Sequence, residues 1–157
     1  MLQILLYTIS HLYSAKYLIG PEALTFDEAE AYCINRHGHL ATIKNENDRD
    51  EVKSLCQTYY NDDNNIRGCW IGLYYNDTEL SWNWKDESDL EYGFDLNGDA
   101  TTGIIPWGFG EPNSNNEDCI HLYVYKDFNW NDAFCGNQNY PICNKGMMHL
   151  IYSMYSE

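Results

Sequence analysis

The first third of the chain carries apolar residues at the spacing of two amphipathic helices. In "LTFDEAEAYCINRHG" they recur at i, i+3 and i+7, on Phe26, Ala29 and Cys33. Thr25 and Glu28 form a capping-box pair at the start of this helix, and Gly38 is expected to end it. A second helix is predicted to begin near Asn45, where acidic residues precede a stripe formed by Val52, Leu55 and Cys56.

Beyond these helices the pattern changes to short aromatic and β-branched runs separated by Asn, Asp and Gly. The runs "CWIGLYY", "SWNW", "CIHLYVY" and "YPICN" predict strands, with Ile120, Leu122 and Val124 on one face of the third. Helices followed by strands indicate an α+β fold with an antiparallel sheet. Residues 85–116 show little apolar periodicity, and a stretch of that length inside a domain is either disordered or functional.

The composition fits a single globular domain and narrows the range of partners. Of 157 residues, 44% are hydrophobic, and 24 acidic against 9 basic residues give a net charge of −15. Nucleic acids and anionic membranes are not expected as partners, because phosphate binding requires clustered Lys and Arg. The chain has no apolar run of the length that a membrane span requires, so no membrane insertion is predicted.

The 6 cysteines, none in a CxxC spacing, predict a disulfide framework instead of a zinc site. Their pairing is open from spacing alone, but disulfides imply an oxidising compartment, so a secreted or extracellular protein is expected. Residues 1–15 allow two interpretations. They form either a signal peptide that ends in Ser14 and Ala15, or the start of the domain, with a first strand within residues 11–20.

Six short motifs, taken in order, resemble the C-type lectin domain family over residues 16–145, which leaves the tail 146–157 unassigned. They are "GHLATI", "WIGL", "GEPN", "EDC", "WND" and "PIC". The resemblance implies a C-type lectin-like fold, in which two helices flank antiparallel sheets that carry a long calcium-binding loop region. It also implies the disulfides Cys33–Cys143 and Cys119–Cys135, which leaves Cys56 and Cys69 as a third pair.

The stretches "GFGEPNSNNEDC" and "NWNDAFC" concentrate oxygen-bearing side chains. Five of these offer carboxylate or amide oxygens, namely Glu111, Asn113, Glu117, Asn131 and Asp132. Such a mixture suits Ca²⁺, which takes several oxygen ligands at flexible geometry, better than it suits Mg²⁺ or zinc. The family resemblance implies that these residues hold one Ca²⁺ and that the peptide bond before Pro112 is cis.

In the family, two neighbouring sugar hydroxyls complete the coordination of the ion, so the same five residues also bind the sugar. Each hydroxyl can donate to a carboxylate and accept from an amide NH₂. The order acid, proline, amide in "EPN" resembles the mannose-type branch, which selects equatorial vicinal hydroxyls in mannose, N-acetylglucosamine, glucose and fucose. The galactose branch has Gln-Pro-Asp. We therefore expect calcium-dependent binding of mannose-type glycans.

Departures from the family pattern surround this site. Among the residues aligned with an auxiliary calcium site, only Glu79 and Asp118 are carboxylates, although Asp77 is available as a substitute. The segment 92–106 is longer than usual, and its extra residues would either extend the binding surface or cover it. Trp107, which lies close to the "EPN" motif, is expected either to pack in the core or to border the sugar.

Other functional classes are weighed against this expectation. An enzyme is not expected, because a carboxylate held on calcium stays ionised and cannot act as the general acid of a glycosidase. The main alternative is a protein-binding or ice-binding module, since a fold does not fix function. A single shallow site would bind weakly and would gain from an oligomer, although no coiled-coil heptad indicates one.

Overall fold

The computed structural model of the chain describes residues 15–59, 66–95, 99–101 and 106–146. Apart from Ala15 and Gly146, the segment 1–15, with its two interpretations, and the C-terminal tail lie outside these ranges, as does part of the 92–106 segment. The helices and strands of the described residues are, in chain order, β1 (Tyr17–Ile19), α1 (Phe26–Ile34), α2 (Glu46–Tyr59), β2 (Gly68–Asn76), β3 (Ser81–Trp84), β4 (Cys119–Tyr123), β5 (Asn129–Ala133) and β6 (Tyr140–Asn144).

Helix α1 begins at the predicted cap. The Glu28 carboxylate accepts hydrogen bonds from the backbone N–H of Thr25 at 3.0 Å and from its hydroxyl at 2.8 Å. These bonds satisfy donors that a helix start would otherwise leave unpaired. The predicted core residues of this helix are all buried, namely Phe26, Ala29 and Cys33.

Helix α1 ends shortly before Gly38. The left-handed residue after the helix is His37, with φ 62°, while the N–H of Gly38 donates to the Cys33 carbonyl at 3.1 Å. A Cβ atom at Gly38 would lie 2.1 Å from the carbonyl oxygen of Asn144 in β6. Gly38 thus follows the end of the helix, as expected, and glycine is required at this position for close approach to β6.

Helix α2 follows the predicted pattern and is joined to the first strand by a buried charge. Asn45 caps the helix, because its side-chain oxygen accepts the N–H of Asp48 at 3.0 Å. The Asp48 carboxylate in turn accepts from the Lys16 ammonium at 2.7 Å, next to β1. The predicted apolar stripe is confirmed by buried Val52 and Cys56. No helix in the described ranges is long and apolar enough to cross a membrane.

The strands form one sheet in the order β1-β6-β2-β4-β5, with β3 paired to β2. All of these pairings are antiparallel except that of β6 with β2, where Cys69 lies opposite Tyr140 in parallel register. The sheet is therefore mainly antiparallel, as expected, with one parallel pair. Since β1 and β2 point in opposite directions, a strand between them must run parallel to one of them.

The predicted strand "CIHLYVY" is shorter than expected. Ile120 and Leu122 are fully buried on its core face, as predicted. Val124, however, leaves the strand and begins a 3₁₀ turn, Val124–Lys126, that leads towards β5. This turn ends at Lys126, which contacts the "EPN" loop.

All three implied disulfides are confirmed. Cys33–Cys143 joins α1 to β6, and Cys56–Cys69 joins α2 to β2. Cys119–Cys135 joins β4 to the segment that follows β5, with 5.2 Å between the Cα atoms. The last bridge holds together the two chain segments that carry the predicted ligands.

Candidate functional site

A cluster of buried aromatic rings supports the loop that contains the "EPN" motif. Trp107 packs edge-on against Trp130 of β5 and Trp82 of β3, with ring centroids 5.4 and 5.5 Å apart. The N–H of Gly108 donates to the Trp130 carbonyl, and the N–H of Trp130 donates to the Pro106 carbonyl, both at 2.9 Å. The motif is therefore fastened to β5 directly beside the "WND" residues.

Of the two roles expected for Trp107, the structure gives the core role. Its side chain is buried, and its indole N–H donates to the Gly93 carbonyl at 2.8 Å. The exposed aromatic residue beside the motif is Phe109, which is 88% exposed. In the sequence, Phe109 lies between two glycines in "GFGEPN", which is the pattern of an exposed turn. Gly110 adopts a positive φ of 80°.

Three of the five predicted ligands are in one contact network. The Asn113 amide donates to Glu111 Oε2 at 2.6 Å. The Asp132 carboxylate accepts the backbone N–H of Asn113 at 3.0 and 3.1 Å and that of Ser114 at 2.8 Å. The Glu111–Pro112 peptide bond is cis, in agreement with the expectation. This network joins the "EPN" loop to β5 through charged acceptors.

Glu111 is a buried carboxylate, only 1% exposed. Its pKa is raised by burial and, after that, by the hydrogen bond with Asp132 and the charge of that residue. The Lys126 ammonium lies 3.1 Å from Glu111 Oε1 and opposes the rise. Two carboxyl groups held together at a buried position favour a nearby cation.

Glu117 lines the same cavity as Asn113. Burial raises its pKa, and so does the negative charge of Asp132, but its link to the network is electrostatic. Within the described residues, no three carboxylate, imidazole or thiol side chains gather closely enough to form a metal site on their own. A cation at this place therefore needs the amide oxygens as well as the carboxylates.

Asn131 is oriented by a buried histidine that the sequence did not reveal as a partner. Its amide nitrogen contacts His121 Nε2 at 3.2 Å and the Asp132 carbonyl. Burial lowers the pKa of His121 to about 4, so the ring is neutral near pH 7 and can accept this bond. Because the nitrogen serves both contacts, the side-chain oxygen of Asn131 remains available for a cation.

A cavity of about 500 Å³ adjoins the network and is lined by part of the residue set that aligns with an auxiliary calcium site. Asp118 and Asp77 both line it, and burial followed by the charge of Asp77 raises the pKa of Asp118. Glu79 instead accepts a hydrogen bond from the Asn83 amide at 3.0 Å on the exposed surface. The Glu79–Asp118 pair stays a prediction, with Asp77 better placed to accompany Asp118.

The donor set fits calcium by its chemistry. The five residues offer carboxylate and amide oxygens, and the adjoining histidine is already engaged by Asn131 and by Asn139. Oxygen donors of this kind bind Ca²⁺ with several ligands and flexible geometry. Where a calcium ion binds, it would supply charge neutralisation for the buried acids and open coordination positions for a ligand.

This chain matches a family model and is similar to several known proteins. The Lectin C-type domain matches residues 22–145. E-selectin of Canis lupus familiaris is 31% identical over 135 residues, covering 81% of this chain and 19% of that protein. The C-type lectin mannose-binding isoform of Oxyuranus scutellatus is 29% identical over 124 residues, covering 76% and 69%. The chain thus spans about a fifth of the length of that E-selectin.

Solved structures agree with this assignment. The cow C-type carbohydrate-recognition domain of CD23, solved in the presence of a GlcNAc2Man3 oligosaccharide, has a TM-score of 0.60 and 30% identity, covering 81% of this chain and 84% of that one. A calcium-independent type II antifreeze protein has a TM-score of 0.63 and 25% identity, covering 83% and 85%. The chain has the C-type lectin-like fold and belongs to the C-type lectin domain family.

Proposed function

We propose that this domain binds carbohydrate in a calcium-dependent manner. The ion and the sugar would share one set of residues, Glu111, Asn113, Glu117, Asn131 and Asp132. The observation that carries the proposal is the network in which the side chains of Glu111 and Asn113 meet and Asp132 binds the Asn113 backbone. It brings buried acidic charge from two chain segments to one place, and a divalent cation would balance that charge.

In this proposal each residue type has a separate task towards the sugar. The carboxylates of Glu111 and Glu117 accept hydrogen bonds from sugar hydroxyls, and the amides of Asn113 and Asn131 donate to the hydroxyl oxygens. Both amides must rearrange for this, because the Asn113 amide now donates to Glu111 at 2.6 Å and the Asn131 amide nitrogen contacts His121 and the Asp132 carbonyl. Calcium affinity is expected on the order of 10⁻⁴ to 10⁻³ M, as in extracellular modules.

Mannose-type glycans are the proposed ligands. The acid-then-amide order of Glu111 and Asn113 supports this class, as do two similar proteins. One is named as a mannose-binding isoform, and the CD23 domain was solved with a mannose-containing oligosaccharide present. N-acetylglucosamine would bind by the same hydroxyl geometry, and fucose would bind in a different orientation.

Reversing the acid–amide order should change the preferred sugar. The double substitution E111Q/N113D keeps the charge of the site while exchanging its hydrogen-bond donors and acceptors, so mannose binding should fall and galactose binding should appear. We expect the mannose-to-galactose affinity ratio to change by at least tenfold, which corresponds to about 1.4 kcal/mol. Calorimetric titration with both sugars in calcium measures the ratio.

Calcium binding serves as the internal control for this exchange, since the number of carboxylates is unchanged. If the variant keeps its calcium affinity and its mannose-to-galactose affinity ratio is unchanged, the proposed hydroxyl pairing is wrong. A variant that loses calcium altogether would be tested again as the single substitution N113D.

The alternative is a protein-binding or ice-binding module that uses no sugar. The likeness to a calcium-independent antifreeze protein favours it, because the same fold there works without the ion. Binding to a glycan array distinguishes the two functions. Mannose-type binding that a chelator abolishes and added calcium restores supports the lectin, and chelator-insensitive binding to a protein or to ice supports the alternative.

We further propose that the protein acts as a binding module outside the cell and catalyses no reaction. Three disulfides suit an oxidising compartment. Carboxylates engaged with a cation are held ionised, which removes the protonated acid that glycoside hydrolysis needs. The net charge of −15 argues against nucleic acid as a partner.

A further inference from the structure

Lys126 enters the proposed calcium site from the 3₁₀ turn between β4 and β5. Its ammonium lies 3.1 Å from Glu111 Oε1 and donates to the Phe109 carbonyl at 2.8 Å. Its aliphatic stem lies against Gly108, where an added Cβ would come within 3.2 Å of the Lys126 Cβ. The backbone of the "EPN" loop therefore holds this lysine in place at both its stem and its head.

Both oxygens of the Glu111 carboxylate already have a donor. Oε1 faces the Lys126 ammonium, and Oε2 accepts from the Asn113 amide. The Glu111 side chain is only 2% exposed, and a buried carboxylate without compensating charge is strongly unfavourable. Lys126 provides the positive charge that the burial of Glu111 requires when no metal is bound.

We propose that Lys126 is an internal counter-cation that stands in for calcium and sets the calcium concentration at which the site fills. This inference rests on the proposed calcium site and concerns its regulation. In the metal-free domain the Lys126 ammonium pairs with the Glu111 carboxylate at 3.1 Å and holds it in position. A calcium ion then competes with the ammonium for the same carboxylate, because two cations beside one acid repel each other. The lysine thus weakens calcium binding while it preserves the site.

A second ion pair close by provides a matched control. Lys53 donates to Asp127 Oδ2 at 2.8 Å, so its geometry resembles that of the Lys126 pair. The Asp127 side chain is 79% exposed, whereas that of Glu111 is 2% exposed. Exposed pairs contribute little to stability, so removal of Lys53 should have little effect on either stability or calcium binding.

The test compares the full chain with the variants K126M, K126R and K53M. Calorimetry gives the calcium affinity, and thermal unfolding in a chelator and in saturating calcium gives the stability. For K126M we expect calcium to bind about five- to 150-fold more tightly, the usual range for coupling between two sites. We also expect a lower unfolding temperature in chelator that calcium restores. K126R and K53M should resemble the natural protein.

The outcomes separate this inference from the proposed function. Unchanged or weaker calcium binding by K126M, in a natural protein that does bind calcium, overturns the role of Lys126. Absence of calcium binding by the natural protein overturns the proposed function itself. The counter-cation role of Lys126 is then tested by thermal unfolding in chelator alone. K126M must unfold at a lower temperature than the natural protein. The double variant E111Q/K126M must recover stability, because it no longer buries an unpaired charge.

Discussion

Replacing Asp132 by Asn should abolish calcium-dependent mannose binding. The Asp132 side chain is buried, and its two oxygens accept the backbone N–H groups of Asn113 and Ser114. An Asn side chain keeps the shape but removes the charge and turns one acceptor into a donor that faces those N–H groups. We expect calcium affinity to fall on the order of 100-fold, since calcium affinity depends on ligand charge and on the groups that orient the ligands.

Calorimetric titration with calcium, followed by mannose, measures this loss. The matched control is D127N, which makes the same chemical change on an exposed aspartate of the preceding turn. It should bind calcium and mannose like the natural protein. Equal calcium affinity in D132N and D127N would contradict the role given to Asp132.

Removing the bridge between α1 and β6 should cause the largest loss of stability among the three disulfides. Cys33 and Cys143 are 110 residues apart, and both are fully buried. Closing a loop of this size restricts the unfolded chain by about 4.7 kcal/mol, compared with about 3 kcal/mol for a loop near 15 residues. The double variant C33A/C143A should therefore lose more than C56A/C69A, whose cysteines are 13 residues apart.

Urea unfolding of the two double variants, followed by Trp fluorescence, measures the difference. An equal or smaller loss for C33A/C143A would show that loop closure in the unfolded chain does not dominate the contribution of these bridges.

Local patterns were sufficient for the helices and for most strands. Thr25 and Glu28 lie three residues apart and can interact without help from the rest of the fold, so the capping pair could be predicted. The direction of β6 depends on where the chain re-enters the sheet, which no local pattern encodes. The left-handed His37 escaped prediction for a similar reason, because the contact of Gly38 with Asn144 joins distant parts of the chain.

The burial of strand β5 could not be predicted from its pattern of apolar residues. Its sequence "NWNDA" lacks apolar alternation, yet Trp130, Asp132 and Ala133 are buried. Asp132 can be buried because a distant loop supplies backbone N–H donors to it. Residue types and order were enough to nominate the ligands. The nearby roles of His121 and Lys126 depend on sheet register and on the 3₁₀ turn, so the sequence alone could not reveal them.

A crystal structure of the full chain grown with calcium and methyl α-mannoside tests the calcium-bridged binding of sugar most directly. We expect one cation with oxygens of Glu111, Asn113, Glu117, Asn131 and Asp132 at about 2.3–2.6 Å. Two neighbouring sugar hydroxyls should complete its coordination, and the Lys126 ammonium should have withdrawn from Glu111 Oε1. A structure without a cation at these residues, in which Glu111 still pairs with Lys126 and the sugar is absent or bound elsewhere, would contradict the proposal.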